Sequence, residues 1–374
     1  MVKPIYLDNA ATTQVDPRVV ASMQPYFTQF YGNPNSSHSF GQAAREAVES
    51  AREVIARRIG GQASEIVFTS GGTESNNLAV LGSFGGVRNH VVTTTVEHKS
   101  VSEPCAAVRT FGGKSTFVPV DSSGIVDLGV LSRAITRKTA LVSVIHGQNE
   151  IGTLQDIRAI GKLCVEKDVL FHVDACQSFL KERLDVGRMH IDLLTLNSHK
   201  VHGPKGVGAL YVRDGVLLRL LVHGGRQEHG LRAGTQNVPG IVGFGKAAAL
   251  WTERDNEHIA RMRDLFVKLI DTADISAQLI GHRTKRLNSI VTYSFGVDAV
   301  TMVEHLDSQG VIASTGSACT SHEILPSSVL KALGFDDARA RSSVRFSFSR
   351  FTTAQDIKTA IEKIRLIVES LRSL

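Results

Sequence analysis

Lys200 ends the run Asp-Leu-Leu-Thr-Leu-Asn-Ser-His-Lys (192–200), and Gly203, Pro204, Gly206 and Gly208 follow it closely. A lysine at the carboxyl end of a buried strand, held by a Gly-rich turn, suits Schiff-base chemistry. Partial desolvation there lowers the pKa of the amine and leaves it nucleophilic near neutral pH. Taken alone, the stretch reads rather as a surface lysine beside a Gly-rich turn. The balance shifts with what stands at the other strand ends. Glu97-His98 follow the run 90–96, His146 and Asn149-Glu150 follow 140–145, and Asp174-Ala175-Cys176-Gln177 follow 169–173. A fourth group, Ser70-Gly71-Gly72-Thr73-Glu74, lies between a short β-branched run (65–69) and a helical stretch from residue 75. Free amides and the positive end of the helix dipole make such a turn an anion site, to which Thr73 adds a hydroxyl. A phosphate cradle, a strand-end lysine and a strand-end aspartate are the parts needed to hold pyridoxal 5'-phosphate. The aspartate keeps the pyridine nitrogen protonated so that the ring accepts electrons from Cα. An imidazole such as His98 can stack on the ring and move protons.

Each residue also has a plainer reading. His98 alone is a satisfied strand-end histidine, Asp174 a helix cap, and Gln177 a solvated first-turn residue. His190, His199 and His202 lack the spacing and the carboxylate or thiolate companions of a metal site, so no metal is expected.

These residues need a scaffold. Strand-like runs at 90–96, 115–120, 140–145, 169–173 and 191–196 alternate with helical stretches at 100–111, 127–135, 156–166 and 238–251. That rhythm predicts an α/β fold with a mostly parallel sheet covered on both faces. In such sheets ligands bind beyond the carboxyl ends of the strands, so the polar groups above should converge. An amphipathic helix is expected over 41–60 and a charged one over 253–272. The final helix carries Ile357, Ile361, Ile364, Val368 and Leu371 on one face, with Thr352 and Gln355 read as its capping box. The pattern changes after about residue 251. A large α/β domain over 14–255 and a smaller α+β domain over 256–374, joined by the arm 1–13, follow from it.

The run His-Val-Asp-Ala-Cys-Gln-Ser (172–178) followed by Ser-His-Lys-Val-His-Gly-Pro-Lys-Gly (198–206) resembles a known family, the cysteine desulfurases of the IscS/NifS type, within the class V aminotransferase group of fold-type I pyridoxal-phosphate enzymes. Tyr-Leu-Asp-Asn-Ala-Ala-Thr-Thr (6–13), Phe-Thr-Ser-Gly-Gly-Thr-Glu-Ser-Asn-Asn (68–77), Arg-Ala-Gly-Thr (232–235), Ser-Thr-Gly-Ser-Ala-Cys-Thr-Ser (314–321) and Ser-Ser-Val-Arg-Phe-Ser (342–347) extend the resemblance over nearly the whole chain. It implies that Lys200 carries the cofactor and moves the Cα proton. Asp174 faces the pyridine nitrogen, Gln177 the ring hydroxyl, and His98 stacks on the ring. Gly72, Thr73 and His199 hold the phosphate, joined by Thr235 of a neighbouring subunit, which implies a homodimer. Asn149 and Arg345 hold the substrate carboxylate, a task for which the guanidinium fork is suited. Cys319 takes the sulfur of L-cysteine as a persulfide, leaving L-alanine. The sulfur then passes to an acceptor protein in iron–sulfur cluster assembly or in a thiolation pathway. Asn197 stands where the family carries a serine phosphate ligand, and it retains the ability to donate. The sequence ends at Leu374 without the longer tail through which relatives contact their scaffold protein, so scaffold docking is not implied. The alternative within the same fold is a selenocysteine lyase or an aminotransferase with Cys319 incidental.

Cys319 lies in a Ser/Gly/Thr stretch without apolar periodicity, which suits a loop that delivers a thiol. Cys164 sits in an apolar run, and Cys176 reads as a small packing residue on the aspartate turn. The four cysteines are isolated, so no disulfide framework is expected. The formal charge is +6, but the basic residues are scattered and aromatics make up 6% of the chain. Nucleic acid is not an expected partner. No basic-then-apolar leader opens the sequence and no apolar run approaches spanning length, so a cytoplasmic protein without a membrane contact is expected.

Overall fold

The computed structural model describes residues 4–315 and 326–373. The strands Thr139–Ile145 and Leu193–Asn197 are buried along their whole length, as strands covered on both faces must be. Among the described residues they belong to a seven-stranded sheet. Its order is Ile66–Thr69, Gly208–Val212, Leu193–Asn197, Leu170–Asp174, Thr139–Ile145, His90–Thr94, Lys114–Val118. The last five strands pair in parallel, whereas Gly208–Val212 runs antiparallel to both of its neighbours. The fold is therefore α/β with a mostly parallel central sheet, as expected. The strand Gly208–Val212 was not legible in the sequence. It begins directly at the last glycine of the Lys200 loop, and pairing on both edges makes it a strand. A Cβ at Gly208 would lie 2.7 Å from the Cα of Gly71, so the anion turn packs backbone against backbone on this strand.

Among the described residues a second sheet, antiparallel and four-stranded, has the order Ser314–Thr315, Ser343–Ser347, Ile290–Ser294, Gln278–Ile280. The arm strand Ile5–Tyr6 pairs in parallel with Val311–Ile312. Helices Glu253–Thr272 and Ala354–Arg372 lie against one another at this end, the second contributing Ile357, Ile361, Ile364 and Val368 to the core. Its capping box is Thr353 with Asp356, not Thr352 with Gln355. Each position is one residue later, and Asp356 rather than a glutamine closes the box. One continuous apolar cluster runs from Leu7 through Phe244 to Val368, so both sheets share a core. Among the described residues no helix is long and apolar enough to cross a membrane.

Candidate active site

The helix Gly72–Ser83 begins three residues earlier than the sequence suggests, so Gly72 and Thr73 form its first turn. The turn before it is compact. Thr69 Oγ1 donates to the carbonyl of Gly71, and the Glu74 carboxylate accepts from the Ser70 amide at 2.7 Å and from Arg232 Nε at 2.9 Å. A cavity of about 420 Å³ opens on this turn, lined by Gly72, Thr73, Thr12, His199 and Lys205 among others. Amides at a helix start, a hydroxyl, an imidazole and a lysine together suit a phosphate.

Beneath the turn lie the ends of two neighbouring strands. Asp174 ends Leu170–Asp174 and is paired in register with Thr195. Its carboxylate accepts from Asn76 Nδ2 at 2.9 Å and from the Cys176 amide at 2.9 Å. Asn76 also donates to Ser100 Oγ at 2.8 Å, and Ser100 Oγ lies 2.7 Å from His98 Nδ1. A hydrogen-bonded chain thus links Asp174 to His98 through two residues that the sequence reading missed. Asn76 is buried on the helix Gly72–Ser83, near apolar Ala79 and Val80 and next to the equally buried Ser75, a burial set by tertiary packing that leaves no mark in the local sequence. Burial lowers the His98 pKa; the Asp174 charge opposes this, while the charges of Lys200 and Lys99 reinforce it. His98, Asp174 and Lys200 therefore lie within electrostatic reach of one another. His199 falls to about 4 through burial and then through Lys200, Lys205 and Lys181, so its imidazole is neutral and can donate from one nitrogen.

The cradle fits pyridoxal phosphate. A Cβ at Gly72 would sit 2.5 Å from the Cys176 sulfur and 3.5 Å from Asn197 Nδ2, so the helix start lies directly on the aspartate and lysine strand ends. Buried Oδ1 of Asn76 and Oε1 of Gln177 lack partners, so each retains an acceptor that a polar cofactor can use. Burial pushes the Cys176 thiol well above its ordinary pKa, with Asp174 adding to the effect, so it is no ready nucleophile. Asn197 lies under Gly72 and does not line the cavity, and Thr235 is exposed and does not line it either. Cys319 lies outside the described residues.

Arg345, in the middle of strand Ser343–Ser347, is brought to Asn149. Its Nη1 donates to the Asn149 carbonyl at 2.9 Å and its Nη2 to Asp8 Oδ1 at 2.8 Å. The arm then continues past Gln177 and His199. The Ala10 carbonyl accepts from Gln177 Nε2 at 2.9 Å, and Thr12 Oγ1 lies 3.1 Å from His199 Nδ1. Two residues of extended chain span about 7 Å at most. The Asp8 contact to Arg345 and the Ala10 contact to Gln177 therefore start from backbone positions no farther apart than that.

The chain matches the family model described as aminotransferase class-V over residues 5–359. A Dictyoglomus turgidum protein named cysteine desulfurase IscS is 41% identical, with 100% of this chain and 97% of that protein covered. A Rickettsia bellii protein of the same name is 44% identical, covering 100% and 93%. Among solved structures, one described as a NifS-like protein aligns with TM-score 0.91 at 36% identity, covering 98% of this chain and 100% of the other. Another, described as SspA in complex with cysteine, aligns with TM-score 0.85 at 37% identity over 93% and 99%.

Proposed function

The chain belongs to the class-V aminotransferase family, and from that premise we propose that it is a pyridoxal-phosphate-dependent cysteine desulfurase converting L-cysteine to L-alanine. The observation that carries this reading is its end-to-end match to proteins named cysteine desulfurase.

When bound, pyridoxal phosphate supplies an aldehyde that captures the substrate amine and a ring that accepts electrons from Cα. The remaining work falls to residues of this chain. Lys200 holds the cofactor and moves the proton at Cα. Asp174, oriented by Asn76 and the Cys176 amide, keeps the ring nitrogen protonated. Gln177, anchored on the Ala10 carbonyl with its Oε1 unpartnered, would hold the ring hydroxyl. His98, its pKa lowered by burial, would hold the ring, and Thr73, His199 and the first amides of the helix Gly72–Ser83 would hold the phosphate. Asn149 and Arg345 hold the substrate carboxylate. The Cys319 thiolate attacks the substrate sulfur. An S–S bond forms as the C–S bond breaks, and the sulfur stays on Cys319 as a persulfide while the carbon skeleton leaves as alanine.

The acceptor is a protein of iron–sulfur cluster assembly or of a thiolation pathway. The working unit is a homodimer in which the exposed Thr235 serves the partner's phosphate site. The domains are 14–255 and 256–374 with the arm. Cytoplasm is the compartment, in keeping with the unpaired thiols of Cys105, Cys164 and Cys176.

Mass spectrometry after incubation with cysteine tests the reading. Added sulfur is expected on the peptide containing Cys319, with alanine released. Cys319→Ala should abolish sulfide production, and Lys200→Ala should remove the visible absorbance of the bound cofactor. Full sulfur release by Cys319→Ala would point instead to another class-V activity.

A further inference from the structure

Arg345 is buried, its side chain only 3% exposed. A guanidinium so deep requires compensation whenever no substrate is present. Asn149 supplies a carbonyl and Asp8 a carboxylate, while Nε, also buried, has no partner. Asp8 is not a loose surface acid. The Leu7 amide donates to the Ile312 carbonyl at 2.8 Å, the Ser347 amide to the Leu7 carbonyl at 2.7 Å, and the Ala10 amide to Ser347 Oγ at 2.8 Å. The backbone on both sides of Asp8 is therefore fastened to strands, and its carboxylate is presented to Arg345 by design of the chain path.

The geometry points to Asp8 as a specificity-setting positioning residue: a resident counter-ion that occupies part of the Arg345 guanidinium and competes there with the substrate carboxylate. The inference rests on the reading of Arg345 as the clamp for that carboxylate. A guanidinium has five donors, and bidentate capture of a carboxylate uses two of them in one fork. An arriving carboxylate must share the cation with the Asp8 charge, which weakens its binding. Alanine keeps the carboxylate of cysteine, so a bare buried arginine would hold substrate and product alike, without favouring the chemical step. Asp8 reduces that uniform hold. The Asn149 carbonyl and the strand keep the guanidinium in place if Asp8 is removed.

Calorimetric titration of the full-chain holoenzyme with L-alanine and with L-alaninamide, which lacks the negative charge, tests this. In Asp8→Asn and Asp8→Ala, L-alanine is expected to bind roughly tenfold tighter, as loss of a charge-assisted competitor implies, with L-alaninamide unchanged. KM for cysteine should fall while kcat does not rise. Unchanged or weaker L-alanine binding in both variants overturns the inference. Arg345→Ala separates the two levels of argument. If it leaves the preference for L-alanine over L-alaninamide intact, the clamp assignment itself is wrong. If it abolishes that preference while both Asp8 variants bind as wild type, only the role of Asp8 fails.

Discussion

Thr12 is a small residue with a large consequence for His199. The imidazole is neutral, held to about 4 by burial and by the charges of Lys200, Lys205 and Lys181. A neutral imidazole has one N–H, and with Nδ1 turned to Thr12 it can donate to an anion only if that proton is on Nε2. The 3.1 Å contact of Thr12 Oγ1 with Nδ1 selects this tautomer when the hydroxyl donates. Thr12→Val removes the donor and keeps the shape. The apo protein carrying it is expected to bind pyridoxal phosphate roughly fivefold more weakly, the worth of one hydrogen bond. Binding of pyridoxal, which lacks the phosphate, should not change. Absorbance titration with both aldehydes checks the pair, and equal weakening of both would dissociate Thr12 from the phosphate.

At the scale of elements, the start of the helix Gly72–Ser83 decides whether the site exists. The Cβ of an alanine at position 72 would lie 2.5 Å from the Cys176 sulfur, a clash that must lift the helix or move the aspartate turn. Gly72→Ala should cost about 1–3 kcal/mol by overpacking and release the cofactor on dialysis. Cys176→Ala in the same chain should restore retention by making room, and alone it should be harmless. Failure of the double variant to recover would mean that the backbone of the turn, not the space over Cys176, is what glycine supplies. Much of this architecture was legible because strand ends are local features. Asp174, His98, Gln177 and Lys200 could be located by asking which polar residues follow apolar runs. Asn76 and Asp8 could not, because they act through contacts across the fold: Asp8 and Arg345 stand 337 positions apart in the sequence. Gly208–Val212 was hidden for a related reason, since its pairing partners lie elsewhere in sequence. The capping box was displaced by one residue because Thr352 and Thr353 are both competent caps and the Asp356 side chain settles the choice.

Over the whole molecule, the polar edge of the sheet is built from groups that burial disfavours in charged form. Glu97, at the end of strand His90–Thr94, is pushed up to about 8, and Glu150, beside Asn149, to about 7, both chiefly by burial. His146 and His172 are held to about 4 for the same reason. The two classes act in opposite directions on stability. Between the ordinary carboxyl value of 4.5 and their raised values, the folded chain keeps two protons that the unfolded chain has released. Their contribution is therefore full below pH 4.5 and lost as pH rises through 7 to 8. The histidines contribute above 6.5 and lose that contribution as pH falls towards 4. The acids can be isolated by substitution. Relative to wild type, a Glu97→Gln/Glu150→Gln protein is expected to gain stability as pH climbs from about 5 to about 8, by an amount on the order of a few kcal/mol. Guanidinium unfolding midpoints of the cofactor-free full chain at the two pH values measure the difference. A constant gap between variant and wild type would show that these carboxyls ionise in the folded protein as they do in water. The low-dielectric edge inferred around His98, Asp174 and Lys200 would then have to be abandoned.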